Sequence, residues 1–196
     1  MTTTPISIRK ESVSVPEFES AVMKTYPTKA GQALRLADES AFAKTLVRSD
    51  QPQFGVRFGQ STRSGDAFIA ATRPDEWLIL SSVEAMDAAV ASVNTGGFTS
   101  VIPFTHGRSL FRLTGELAPK ALEKVCGIDF ANPMTPNGAV VSASVALVSC
   151  DIMRDDVATG SAGGEVSYRI MCDRSFGQYL FDALVDAGNE FGISVD

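Results

Sequence analysis

An acidic pair followed at once by the only tryptophan, Asp75-Glu76-Trp77, is the first place in this sequence to look for chemistry. Two carboxylates can hydrogen-bond an amine or a pterin-like ring, and an indole can stack on the same ring. The neighbouring residues also support a purely structural reading. Pro74 fixes its own φ and pushes Arg73 away from the helical region. Asp75 suits a turn, because its side chain bonds nearby backbone amides. Trp77-Leu78-Ile79-Leu80 then reads as a buried strand. On this reading Asp75 closes a turn, Glu76 is a solvated strand edge and Trp77 anchors the core.

Little else in the chain offers reactive chemistry. His106 is the only histidine. It falls between two strand patterns and reads as a hydrogen-bonding turn residue. No second histidine or nearby cysteine completes a zinc set. No serine lies in a Gly-x-Ser-x-Gly elbow. Gly160-Ser161-Ala162-Gly163-Gly164 lacks phosphate-loop spacing, follows Asp155-Asp156 and precedes a strand, so it reads as a hairpin tip. Cys126, with Lys124 nearby, occupies an apolar helical position and reads as small core filling. The sequence therefore assigns no catalytic residue and no metal ligand. Asp75, Glu76 and Trp77 stand as the ligand-binding candidates.

Composition sets the class. With 196 residues, 17 basic and 23 acidic, the net charge is −6. That balance disfavours nucleic acid and anionic membrane as partners, since both attract positive surfaces. No apolar run approaches the roughly 20 residues of a membrane span. Met1-Thr2-Thr3-Thr4-Pro5 is not the start of a signal peptide. Three cysteines without a Cys-x-x-Cys pair fit a reducing, cytoplasmic setting.

The pass along the chain predicts an α+β fold. Residues 1–30 read as an extended or poorly ordered arm, and residues 31–196 as one domain. A short helix is expected from Asp38-Glu39-Ser40 through Val47, and a strand over residues 54–58. Residues 61–66 read as a turn. Strands follow at 67–72 and 76–80, then a helix over 81–94 capped by Ser81 and Glu84. Strands at 98–104 and 108–114 flank His106. A helix is expected at 117–126, with Pro119 in its first turn. A loop at 132–138 precedes one long strand over 139–151. Residues 155–165 read as a hairpin loop, 166–172 as a strand and 176–191 as an amphipathic helix. Single helices separate the strand groups, suggesting two pseudo-repeated strand–strand–helix halves around a shared core.

Four strings carry a family resemblance. They are Arg73-Pro74-Asp75-Glu76-Trp77-Leu78-Ile79-Leu80, Thr105-His106-Gly107-Arg108-Ser109-Leu110-Phe111-Arg112-Leu113-Thr114-Gly115, Leu122-Glu123-Lys124-Val125-Cys126-Gly127-Ile128-Asp129-Phe130, and Asp173-Arg174-Ser175-Phe176-Gly177-Gln178-Tyr179-Leu180. In order and spacing, over residues 67–193, they resemble the gamma subunit of heterotetrameric sarcosine oxidase. The resemblance implies a fold related to the folate-binding domain of aminomethyltransferases. It implies alpha, beta and delta subunits as partners, and FAD, FMN, NAD and tetrahydrofolate bound on those other subunits. Such a complex demethylates sarcosine to glycine, passes the one-carbon unit to tetrahydrofolate and reduces oxygen to peroxide. The gamma subunit carries no assigned catalytic residue or cofactor. Lys124-Val125-Cys126-Gly127 departs from the Lys-Gly-Cys-Tyr string of folate-dependent iron–sulfur assembly proteins. The catalytic aspartate of the aminomethyltransferases matches no aspartate here. The arm and residues 133–138 are the expected partner contacts, because both pack poorly internally. The competing expectation is a stand-alone folate-binding or one-carbon transferase module using Asp75 and Glu76.

Overall fold

Apolar side chains point to both faces of the central strands, and this dictates how the layers stack. The computed structural model describes residues 17–27, 33–158 and 164–196. In chain order the strands are β1 (Arg35–Asp38), β2 (Ala43–Ser49), β3 (Ser61–Ser64), β4 (Ala67–Arg73), β5 (Glu76–Ser81), β6 (Thr99–Pro103), β7 (Arg108–Thr114), β8 (Val140–Val145), β9 (Val148–Arg154), β10 (Val157–Ala158), β11 (Gly164–Glu165), β12 (Ser167–Asp173) and β13 (Ser194–Val195). The helices are α1 (Val83–Ala91), α2 (Ala118–Glu123) and α3 (Gly177–Gly188). One large sheet runs β13-β1-β7-β12-β9-β8 and a second β3-β4-β5-β2-β6, while β10 and β11 form a separate two-stranded pair. Among the described residues only β1 and β13 pair in parallel.

Alternation along each strand sorts side chains into three apolar layers. Phe111, Leu113, Ile152 and Ile170 face Leu122, Phe181 and Leu184 of α2 and α3. Trp77, Ile79, Ile69 and Val47 face Met86 and Val90 of α1. The intervening residues Phe68, Leu78 and Leu80 of one sheet meet Leu110, Met153 and Met171 of the other. The result is an α+β fold in which two sheets pack face to face, with helices outside each.

Several elements differ from expectation for identifiable reasons. The segment through Val47 is strand β2, not a helix. Asp38 and Ser40 close a turn instead of capping: the Ser40 amide donates to Asp38 Oδ1, and the Phe42 amide to the Glu39 carbonyl. Residues 54–58 form turns, because Phe54 and Gly55 both take positive φ. Residues 61–64 form β3, leaving only Gly65-Asp66 to turn. The N-cap of α1 is Ser82, whose hydroxyl accepts from the Ala85 amide; Ser81 is buried in β5. The expected strand over 139–151 is the β8–β9 hairpin. Ala146 and Leu147 turn it at φ 46° and 68° without the Asn-Gly signal that marks such turns. The glycine-rich string lies outside the described residues, except for Gly164 in β11.

Gly115 holds the end of β7 against the start of β1. Its φ is +138°, and a Cβ there would lie 1.9 Å from the Ala33 carbonyl oxygen. Gly115→Ala therefore forces two backbones apart. We expect a loss of about 3 kcal/mol or more in a urea unfolding titration. Gly127→Ala, where a Cβ meets nothing within 4 Å, serves as the silent control.

Candidate functional site

Strand geometry disperses the three sequence candidates. Asp75 is exposed in the β4–β5 turn, and its carbonyl accepts from the Ser49 amide. Glu76 is buried, not solvated: it accepts from Thr72 Oγ1 at 2.8 Å and pairs with Arg48 at 3.1 Å. It sits in the strand beside an exposed arginine, and that charge makes its burial affordable. Trp77 is 4% exposed, packs under α1 and donates Nε1–H to the Val56 carbonyl. Successive strand residues face opposite ways, so the indole and the Glu76 carboxylate do not share a pocket.

The structure gathers a different set. Arg112 on β7 and Arg169 on β12 point into the layer between the sheets, on the same faces as Leu110 and Met171. Glu39 accepts from Arg112 Nε and Arg169 Nε, each at 2.7 Å. Asp155 Oδ2 accepts from Arg112 at 2.7 Å, Arg169 at 2.6 Å and Arg63 at 2.6 Å. Arg63 lies on β3, in the other sheet, and reaches Asp155 Oδ1 as well. Asp155 and Arg169 are each 5% exposed. Burial holds the Arg169 guanidinium below the ordinary arginine range, while Glu39 and Asp155 oppose that shift. Its Cζ also lies 5.2 Å from the Phe68 ring centroid.

This cluster floors a cavity of about 750 Å³ lined by Arg63, Arg112, Arg154, Asp155, Asp156 and Phe68. Arg154 completes the floor, pairing with Asp156 at 3.0 Å and donating to Asn132 and the Thr135 carbonyl. Every carboxylate facing the cavity is thus bound to a guanidinium. An ionised carboxylate offers about four acceptor sites, and on Asp155 arginine donors take them from several sides. The chemistry on offer is charge fixation. Sequence reasoning missed this cluster because its members lie up to 130 residues apart. The available signal was a charge inside an apolar strand run, as in Phe111-Arg112-Leu113 and Tyr168-Arg169-Ile170.

A second buried charge stands apart. Lys44 is 0% exposed and donates from Nζ to the carbonyls of Ser40 at 2.6 Å, Phe42 at 2.9 Å and Thr105 at 3.4 Å. Burial lowers its pKa to about 8, with Asp38 opposing the shift and Arg174 adding to it. His106, the lone histidine, lies in the turn Thr105–Gly107 and packs against Phe18. The three thiols are buried; burial pushes Cys150 and Cys172 up to about 12, far from thiolate chemistry at neutral pH. Among the described residues no group of three His, Cys, Asp or Glu side chains converges as a metal site would require. No helix among them is long and apolar enough to cross a membrane.

No family model and no curated protein matches this sequence. Solved structures do. A chain of heterotetrameric sarcosine oxidase from Corynebacterium sp. U-96, in complex with pyrrole 2-carboxylate, is similar with a TM-score of 0.66 at 20% identity, over 84% of this chain and 88% of that one. Glycine cleavage system aminomethyltransferase T from Bartonella henselae is similar with a TM-score of 0.61 at 16% identity, over 84% of this chain and 48% of that one. This chain therefore matches about half the length of the aminomethyltransferase. The likeness in both cases is one of fold.

Two stability measurements follow. Asp155→Asn leaves Arg169 buried with one carboxylate fewer, and breaking such a group costs about 3–5 kcal/mol. Glu190→Gln, which removes an exposed partner of Lys124, should change urea stability by less than about 1 kcal/mol. Lys44 gives a pH signature. Below about pH 8 it is protonated in both folded and unfolded chains, and the burial penalty is present in full. Between about 8 and the ordinary 10.5 the unfolded chain holds the proton and the native chain does not. Stability then rises with pH. Wild-type stability, measured relative to Lys44→Met to remove other titrations, should climb from pH 8 to pH 10.

Proposed function

We propose that this chain is a non-catalytic subunit of a heteromeric sarcosine-oxidising enzyme, in the role of its gamma subunit. The observation that carries this reading is the state of the charges in the cavity of about 750 Å³ and the cluster beneath it. Asp155, Asp156 and Glu39 are each bound by arginine. They align the two sheets, and none is left poised to take a proton from an amine. The extent of the fold likeness supports the same reading, since it covers 88% of the sarcosine oxidase chain but 48% of the aminomethyltransferase. On this proposal the chemistry belongs to alpha, beta and delta subunits. They would hold FAD, FMN, NAD and tetrahydrofolate and convert sarcosine to glycine in the cytoplasm. Residues 31–196 would act as one module, with two pseudo-repeated halves: hairpin β4–β5 leading into α1, and β9 with β12 leading into α3. The loop at 133–138 would face a partner, because Met134 is 65% exposed on a groove it shares with Phe54 and Gly59, and Phe58, the sequence neighbour of Gly59, is 61% exposed.

A second reading has one observation in its favour. The cavity of about 750 Å³ is large enough for a drug-sized ligand. A stand-alone folate-binding or one-carbon transferase module would use that space.

Co-expression separates the two. With candidate alpha, beta and delta chains, this chain should co-purify in fixed stoichiometry, and Met134→Ser with Phe58→Ser should weaken that association by about tenfold. Sarcosine oxidation should persist in Asp75→Asn and Glu76→Gln variants of the complex. Full activity and an intact complex without this chain would defeat the subunit reading. Saturable binding of tetrahydrofolate to the chain alone, in titration calorimetry, would favour the second.

A further inference from the structure

Strand β7 carries charge into the layer between the sheets at both of its ends. Arg112 meets the ion cluster at one end. Arg108 lies four residues earlier, on the same face and roughly 14 Å away along the strand. A separate cavity of about 310 Å³ opens beside it, at the end of the layer opposite the ion cluster.

Apolar side chains from both sheets line this cavity. Leu46, Leu78 and Ile102 come from one sheet and Met171 from the other. Phe104 comes from the segment joining β6 to β7. Leu78 and Met171 are buried, whereas the side chains of Arg48, Arg73 and Arg108 are 35–57% exposed. The apolar groups therefore form the floor and the guanidinium groups mark the mouth.

Charge at the mouth does not balance. Three arginines face two carboxylates there, Glu76 and Asp151. Glu76 pairs with Arg48 at 3.1 Å, and Asp151 pairs with Arg73 at 3.2 Å. Both acids are also held by hydroxyls, Glu76 by Thr72 at 2.8 Å and Asp151 by Ser142 at 2.6 Å. Arg108 is left without an acid of the lining. Among the described residues its one ionic partner is Asp173, at 2.8 Å, which is 60% exposed and lies outside the lining. Exposed pairs of this kind hold weakly, because water competes for both ions. The Arg108 guanidinium also lies 6.0 Å from the Phe104 ring centroid, so the cation adjoins the apolar wall.

A loosely held cation at the mouth of a small apolar cavity suits an anion with an apolar body. The volume lies at the low end of the roughly 300–1,000 Å³ of ligand pockets, which limits that body to a few carbons. A carboxylate matches the guanidinium fork with two parallel hydrogen bonds. We propose that this cavity binds a short aliphatic carboxylate. Its head takes Arg108 in place of Asp173, and its chain lies against Leu46, Leu78 and Met171. The site is distinct from the ion cluster and needs no partner subunit.

Titration of the full-length chain with hexanoate, followed by methionine methyl NMR, tests this. The Met171 methyl should shift saturably, while those of Met23 and Met134, which are exposed elsewhere, stay in place. Acetate lacks the chain and hexanamide lacks the charge, so each should bind the wild type at least about tenfold more weakly. Arg108→Met should weaken hexanoate by a similar factor. Asp173→Asn, which frees Arg108, should tighten it, a gain that a purely structural Arg108 would not give. Equal affinity in wild type and Arg108→Met would overturn the proposal. So would a Met171 methyl that does not respond to millimolar hexanoate. Equal affinity for hexanoate and inorganic phosphate would also overturn it, since the apolar wall would then play no part.

Discussion

Everything in this fold depends on how charge is placed between two facing sheets. The layer is apolar where Phe68, Leu78 and Leu80 meet Leu110, Met153 and Met171. Toward one end Glu39, Arg112, Asp155 and Arg169 replace apolar side chains. Moving each ion out of water costs several kcal/mol even after relaxation. The cluster tolerates this because Glu39, Arg112, Asp155 and Arg169 each have at least two ionic partners. Glu39 receives two guanidinium groups and Asp155 receives three, at 2.6–2.7 Å. Arg63 is the member that matters for architecture, since it crosses from β3 to the opposite sheet. Backbone bonds reinforce the crossing there, with the Ser61 amide donating to the Gly138 carbonyl and the Val140 amide to the Gly59 carbonyl. A second crossing is made by Arg73, which reaches Asp151 and Ser142. Apolar contact holds the sheets together, and directional charge fixes how they sit.

Much of the strand content was legible because Ala67–Arg73, Glu76–Ser81 and Ser167–Asp173 are buried on both faces and read as short, mainly apolar runs. The same double burial hid other elements. Leu46 and Val47 are consecutive apolar residues with a cap-like Asp38-Glu39-Ser40 before them, which imitates a helix start. In the fold they face opposite layers of β2. Ala146-Leu147 turns the β8–β9 hairpin with neither glycine nor asparagine, so nothing local marks it. Leu147 is 94% exposed and held at positive φ by the pairing on either side.

The candidate site was less legible than the fold, for a geometric reason. Asp75, Glu76 and Trp77 are adjacent in sequence, and in a strand adjacency separates side chains. Glu39, Arg112, Asp155 and Arg169 are far apart in sequence, and register brings them together. Tyr168, Arg169 and Ile170 pair directly with Leu113, Arg112 and Phe111, so the two arginines are cross-strand neighbours. Like charges placed opposite one another repel. Such a pair persists where carboxylates bridge both guanidinium groups, as Glu39 and Asp155 do. An arginine in the middle of each of two apolar strands was therefore a readable sign that acids must arrive from elsewhere.

The same arithmetic bears on function. Arg63, Arg112 and Arg169 bring three positive charges to the cluster, and Glu39 and Asp155 bring two negative ones. Asp155 accepts from three arginines at once and so anchors the crossing between the sheets. Volume alone does not make the cavity above it a reaction chamber, because specificity and catalysis come from polar groups free to meet a ligand. The proposed subunit role asks of this chain only a fixed shape and an outer surface, and a saturated ion cluster between two sheets supplies the first of these.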